Sequence, residues 1–417
     1  MSAVALLTGG GDKPYAMGLA TSLSARQIPI DVIGSNELDV PEVLTLPGVR
    51  LLNLRGDVTP TVPPIRKAFR VLVYYVRLIT YALTAKPAVF HVLWNNKFEF
   101  FDRTVLLLLY RTLGKRIVLT IHNVNIAQRD GGDGPLNRLT LRIQYRLAHH
   151  MFVHTEDMRR QLEAEFSVPA HKVTTIPFGI NQTIPATAMT RDEARRTLGL
   201  SPTAKILLFF GNIAAYKGVE YAVQAMSRLV RTYPDAQLII AGRPKSDDGY
   251  WPAVVQTVQR LGLERNVIQA ISFIPDSEVE PFFKAADVLV LPYTHVFQSG
   301  VLFLGYQFGL PAIATNVGGL KDDVFDGVTG FTCRASDADD LAETFERFFQ
   351  SPLYADLESR RPEIRDLMSN RNSWSRVSEE TCRVYRSLWT NGAVTAVTGS
   401  LQSASSDSTQ TGVDACK

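Results

Sequence analysis

Three glycine-containing stretches of this 417-residue chain could bring backbone N–H groups and a cation against a phosphate. Thr8-Gly9-Gly10-Gly11-Asp12 follows an apolar run and precedes a helix-period segment. With no Cβ in the way, Gly10 and Gly11 allow an anion or a sugar to approach the main chain closely. A dinucleotide fingerprint is excluded, because Pro14 stands where its third glycine would fall. A tight structural turn is the competing reading. The second stretch, Phe209-Phe210-Gly211-Asn212-Ile213-Ala214-Ala215-Tyr216-Lys217-Gly218, reads as a strand, a glycine turn and a lysine opening the next helix. A cation at a helix N-terminus is disfavoured unless an anion balances it, so Lys217 is a candidate for a leaving diphosphate. A lysine on a solvated first turn is the alternative. In the third, Gln298-Ser299-Gly300-Val301-Leu302, small residues begin a helix whose free N–H groups could take the same diphosphate. Packing alone would explain the apolar residues there, but not Ser299 and Gly300.

His122 closes the buried-strand run Ile117-Val118-Leu119-Thr120-Ile121. At a strand's carboxyl end it would point into a cleft and could hydrogen-bond a sugar or move a proton. A satisfied core histidine is the alternative. No metal site is expected. The single D-x-D, Asp337-Ala338-Asp339, precedes a helix, where acidic residues serve as caps and dipole partners. H-E-x-x-H, Walker and G-x-S-x-G patterns are absent. Leaving-group charge would then be met by Lys217 and backbone dipoles.

The elements that must hold these residues are short β-branched runs alternating with helix-period segments, the pattern of parallel sheets built from βαβ units. Strands are predicted at 4–8, 30–34, 50–54, 89–93, 117–121, 151–154 and 173–176, then at 206–210, 237–241, 267–271, 288–291, 312–314 and 330–332. The fold class is therefore α/β, with two Rossmann-like, doubly wound parallel-sheet domains facing across a cleft. The division is 1–185, a linker at 186–200, 201–372, a helix at 373–390 and a disordered tail at 391–417, the tail rich in Ser, Thr, Gly and Ala. Ligands bind beyond the carboxyl ends of such strands, so both domains would serve one shared cleft.

Charge is uneven. Residues 1–185 carry 21 Lys and Arg against 14 Asp and Glu, while the remainder carries 23 against 27. A basic first half suggests an anionic partner, such as a lipid surface; the excess is too small for nucleic acid. Arg66, Arg70 and Arg77 lie within about 40° of one another on a helix that is otherwise apolar. They mark either a solvated stripe on a core helix or a membrane and acceptor surface. Phe98, Phe100, Phe101 and the run 106–109 are either further surface candidates or, equally, core. No apolar stretch reaches the roughly 20 residues of a spanning helix. Met1 to Gly9 holds no basic leader. Three scattered cysteines imply a reducing compartment. The expected location is cytoplasmic, either free or peripheral to the inner face of a membrane.

Taken in order, these features resemble glycosyltransferase family 4, retaining enzymes of GT-B architecture. The resemblance rests on the first glycine turn, His122-Asn123, Phe210-Gly211 through Lys217-Gly218, Ile240-Ala241-Gly242, Ala286-Asp287-Val288, Phe308-Gly309-Leu310-Pro311 through Gly318-Gly319, and Asp326-Gly327-Val328-Thr329-Gly330-Phe331. It implies a nucleotide-diphosphate-sugar donor, a glycan or lipid-linked acceptor, and no cofactor or metal. Polysaccharide or cell-surface glycan synthesis is the implied setting. His122 would touch the donor sugar; Gly10, Gly11, Lys217, Ser299, Gly300 and Val301 would line the diphosphate; Arg243, Phe273 and Ile274 would sit by the base; and 373–389 would cross back to the first domain. Two departures stand out. Asn212 replaces the family's usual arginine, and Val296 and Leu304 replace its two glutamates. The missing glutamates leave open a non-catalytic scaffold of the same fold. A sugar-nucleotide epimerase shares the architecture but calls for more cleft carboxylates.

Overall fold

The computed structural model describes residues 4–404 except 12, 58–62, 97, 130, 181–182 and 247–248. Two wholly parallel sheets organise the chain. The first contains β1 (Val4–Leu7), β2 (Ile30–Gly34), β3 (Val49–Asn53), β4 (Val89–Val92), β5 (Arg116–Thr120), β6 (His150–Val153) and β7 (Val173–Thr175), in the order β3-β2-β1-β4-β5-β6-β7. The second contains β8 (Ile206–Phe210), β9 (Gln237–Ala241), β10 (Val267–Ala270), β11 (Val288–Leu291), β12 (Ala312–Thr315) and β13 (Gly330–Cys333), in the order β10-β9-β8-β11-β12-β13. Each predicted strand is present. Central strands such as β8, Ile-Leu-Leu-Phe-Phe, are buried along their whole length because helices cover both faces.

The strand order reverses beside β1 in one sheet and beside β8 in the other. Such switch points open a crevice at the carboxyl edge. The glycine turns after β1 and β8 both lie there, and each is followed by a helix: α1 (Lys13–Ala25) in the first domain and α3 (Val219–Thr232) in the second. Between them in sequence lies α2 (Pro64–Thr84), on the first domain.

The second domain is tied internally by a buried ion pair. Asp287, fully buried, accepts from Arg195 Nη2 at 3.0 and 3.1 Å, from Arg191 at 2.7 Å and from the Ile206 N–H at 2.8 Å. One carboxylate thus fixes the starts of β8 and β11. The Ala286-Asp287-Val288 motif is structural in this chain.

The chain crosses between domains twice, and the crossings are bonded side by side. Ile180 N–H donates to Asn372 O at 3.2 Å, Asn372 Nδ2 to Phe178 O at 3.0 Å and Trp374 Nε1 to Ile180 O at 2.9 Å. The last helix then returns to the first domain, where Val377, Cys382 and Tyr385 pack with Val4, Leu6, Tyr15 and Leu19. His91 sits between Tyr385 Oη (2.6 Å) and Thr120 Oγ1 (2.7 Å). This helix runs Trp374–Ala404, so 391–404 continue a helix where composition predicts disorder. The packed residues before them already meet the nucleation cost, and no proline interrupts propagation. The rest of the predicted tail, 405–417, lies outside the described residues.

Candidate functional site

The second domain's crevice gathers the cationic half of the site. Gly211 follows β8 at φ 100°, a backbone region that side chains rarely enter. A Cβ there would stand 3.3 Å from Lys217 Nζ and 3.4 Å from Val301 Cγ2, so these groups converge. Lys217 lies in a single 3-10 turn, Ala215–Lys217, two residues before α3 rather than at its start. It is only 7% exposed, with its ammonium 5.3 Å from the Tyr293 ring and 5.8 Å from that of Phe209. That burial disposes of the solvated first-turn reading. Opposite it begins α4 (Gly300–Gln307), with Ser299 as its N-cap residue. The Ser299 side chain makes no capping bond, the first turn holds no acidic residue, and nothing lies within 4 Å of a Cβ placed on Gly300. The first N–H groups of α4 and the Lys217 ammonium have the chemistry that an anion would require.

Arg243, Phe273 and Ile274 follow the carboxyl ends of β9 and β10. The Arg243 guanidinium lies 5.5 Å from the Phe273 ring centre, and Phe273 is 65% exposed. An exposed aromatic face beside a cation is a surface on which a planar ring can stack. Ile274 is half-buried behind it and packs on the domain core.

On the first domain, Gly9 and Gly10 take φ of 58° and 73° and wrap against Trp94 and Arg55. A Cβ on Gly10 would fall 1.6 Å from Arg55 Nη1, which donates to Gly9 O at 2.5 Å, and one on Gly11 would fall 2.1 Å from the Trp94 ring. His122 does not stand free in the cleft as expected. Trp94 stacks flat on it at 4.1 Å, Tyr15 meets it edge-on at 4.7 Å, and His154 Nε2 lies 3.2 Å from its Nδ1. Burial, followed by the neighbouring imidazoles of His154 and His91, holds its pKa well below the ordinary histidine value. Burial likewise lowers that of His154 to about 4. Both rings are therefore neutral at physiological pH. His122 Nε2 is buried and has no hydrogen-bond partner among the described residues. The ring is thus poised to give or accept one hydrogen bond, but poorly suited to carry a proton's charge.

Between the domains, Pro14, Tyr15, Phe178 and Gly179 face Gly300, Val301 and Leu304 across a pocket that Trp374 closes. Phe178, which lines it, stacks on Phe303 at 5.2 Å, and Lys321 pairs with Asp157 at 2.6 Å, so the domains touch in two places. Val296 and Leu304, at the two glutamate positions, are buried in the second domain's core. Asp337 caps the helix Ala338–Phe349 by accepting from the N–H groups of Asp339 and Asp340.

The three arginines of α2 do not form one surface. Arg66 and Arg77 are exposed, whereas Arg70 is half-buried and turned toward Asp57, 3.9 Å away. The outward crest of the helix is apolar instead. Ile65, Phe69, Leu72 and Val76 are each more than half exposed, and Phe98 and Phe100 extend the apolar surface. Arg70 turns away because Asp57, in the segment that precedes the helix, supplies a counter-charge.

Trp94 and Arg55 are the site residues that the motifs miss. Trp94 follows β4 across the crevice from the glycine turn, so the strand-end rule that singles out His122 also points to it. Arg55 carries no local sign, since its contact with Gly9 spans 46 residues.

Comparison with known proteins agrees with this geometry. Residues 9–183 match the family model described as Glycosyltransferase Family 4, and 204–351 match that of Glycosyl transferases group 1. A D-inositol 3-phosphate glycosyltransferase of Corynebacterium urealyticum is 27% identical over 54% of this chain and 54% of its own length. The chain thus spans about half of that relative. The enzyme of the same description from Mycolicibacterium smegmatis is 24% identical over 80% of this chain and 77% of its own. The crystal structure of Anabaena HepE in complex with UDP-glucose superposes with a TM-score of 0.70 at 15% identity, covering 93% of this chain and all of that one. With two doubly wound domains facing across a cleft, and both domains matched by family models, the chain belongs to the family 4 glycosyltransferases of GT-B fold.

Proposed function

We propose that the chain transfers a sugar, with retention of configuration, from a nucleoside-diphosphate sugar on the second domain to a glycan or lipid-linked acceptor on the first. The observation that carries this reading is the buried Lys217 ammonium converging with Gly211 and Val301 where α4 begins. Charge grows on the diphosphate as the glycosidic bond breaks, and a preorganised cation and helix end stabilise that growth most. The Arg243–Phe273 edge suits a base, and the UDP-glucose bound by HepE supports a uridine nucleotide. Retention is what membership of family 4 implies. Among the described residues that line the pocket there is no carboxylate, and His122 is a poor base because its cation would be buried. The departing diphosphate oxygen, on the face where the bond breaks, is left as the base for the acceptor hydroxyl.

The apolar crest of α2, flanked by Arg66 and Arg77, supports docking on an anionic membrane surface from the cytoplasmic side. Among the described residues no helix is long and apolar enough to cross a membrane. Assembly of a cell-surface or exopolysaccharide glycan is the setting that fits an enzyme working at such a surface.

One second reading has specific support. Val296 and Leu304 cannot grip sugar or ribose hydroxyls, and Trp94 covers His122, as would suit a GT-B scaffold that binds without turnover. A panel of nucleotide sugars separates the two. A donor at a hundredfold excess over its Kd should stabilise the protein by about 2.7 kcal/mol, several degrees in melting temperature. Stabilisation with slow hydrolysis or transfer supports the enzyme, stabilisation without either supports the scaffold, and no response to any donor overturns both.

A further inference from the structure

A second basic pocket lies on the first domain, beside the glycine turn but apart from Lys217. It is formed by Arg55, Asp57, Lys67, Arg70, Tyr74 and Asn96, where α2 begins. Arg55 reaches it from the Gly9 carbonyl, which it holds at 2.5 Å. Arg70 lies 3.9 Å from Asp57, and Lys67 has no acidic partner among the described residues. Among the described residues, three cations against one carboxylate leave a surplus of two positive charges in a recess along the first half of a 21-residue helix. The neutral groups are fixed. Tyr74 Oη donates to Asn96 Oδ1 at 2.7 Å, Asn96 Nδ2 donates to Asp102 at 3.1 Å, and burial pushes the Tyr74 phenol far above its ordinary pKa.

We infer that this pocket binds a phosphate monoester on the acceptor, so that the chain glycosylates a phosphate-bearing molecule. A monoester carries about −1.5 to −2 charges near pH 7, which matches the surplus. Two guanidinium groups offer paired donors to its oxygens, and the ammonium supplies a point charge. Because Arg55 also grips the glycine turn, a phosphate held here anchors the acceptor beside the crevice in which the donor sugar would lie. The inference rests on the proposed transfer for its meaning, but the pocket can be tested alone.

The experiment measures melting temperature for the full-length wild type, Arg55→Gln, Lys67→Gln, Lys67→Arg and Lys217→Ala. Each is titrated with inorganic phosphate, glucose 6-phosphate and glucose, and floated with phosphatidic acid vesicles. Phosphate and glucose 6-phosphate should stabilise the wild type, Lys67→Arg and Lys217→Ala, with apparent affinity falling about tenfold in Arg55→Gln and Lys67→Gln; glucose should do nothing. Vesicle binding that falls in the same two variants assigns the phosphate to a lipid headgroup. Vesicle binding that is absent or unchanged in them assigns it to a soluble ester. Equal stabilisation of all variants, or loss in Lys217→Ala alone, overturns the pocket. If the phosphate pattern holds while no nucleotide sugar is processed, the transfer reading fails and the pocket stands.

Discussion

The two domains carry the same strand order around their switch points, yet their crevices are furnished in opposite ways. Beside β8 the crevice holds a buried ammonium, small residues and an open helix end. Beside β1 it holds Trp94 stacked on a neutral His122, with Arg55 drawn over the glycine turn. Their outer faces differ as well. The first domain exposes Ile65, Phe69, Leu72, Val76, Phe98 and Phe100, whereas Phe273 stands out in the second. The contrast teaches that one topology serves two tasks. The second domain turns its charge inward, to its crevice, while the first turns an apolar surface with Arg66 and Arg77 outward.

Breaking the inward charge should have the largest effect. Asp287→Ala strands the buried Arg195 guanidinium, and loss of one partner of a buried pair costs about 3–5 kcal/mol. Chemical denaturation should show that loss; a change under 1 kcal/mol would mean that the pair does not organise the second domain. Next, Lys217→Ala should lower turnover by roughly 10²–10³ while leaving the fold and vesicle binding intact, the size seen when one preorganised charge-stabilising donor is removed. Turnover at the wild-type rate would erase the distinction between the crevices. The smallest effect tests the outward face. Arg66→Gln and Arg77→Gln should each weaken binding to anionic vesicles by about 1 kcal/mol, roughly fivefold, and the difference should fade in high salt. Unchanged vesicle binding would remove the membrane from the first domain's role.

The strands were legible because helices bury both faces, so continuous Val, Ile, Leu and Phe runs announce them without long-range information. Lys217, Ser299 and Gly300 were legible for a local reason too, since a turn and the helix it opens adjoin in sequence. What eluded sequence reasoning depends on contacts between distant segments. The outward face of α2 could not be read from its own periodicity, because both its buried face and its crest are apolar. Arg70 was assigned to a stripe since nothing local reveals Asp57 as its partner. His122 was correctly found at a strand end, but its aromatic cover comes from Trp94, Tyr15 and Phe178 on three other segments.

The paired crossings and the returning helix also set an order of assembly. Tyr385 fills space against His91, and Trp374 seals a wall made by Gly18 and Gly179, where a Cβ would fall 2.1 and 2.4 Å from its ring. The sheet that leaves the ribosome first therefore lacks part of its interior until the final segment has been synthesised, long after the second sheet is complete. The domain begun first waits on the later segment, and a chain stopped just short of Trp374 would carry a complete second domain beside an unsealed first one.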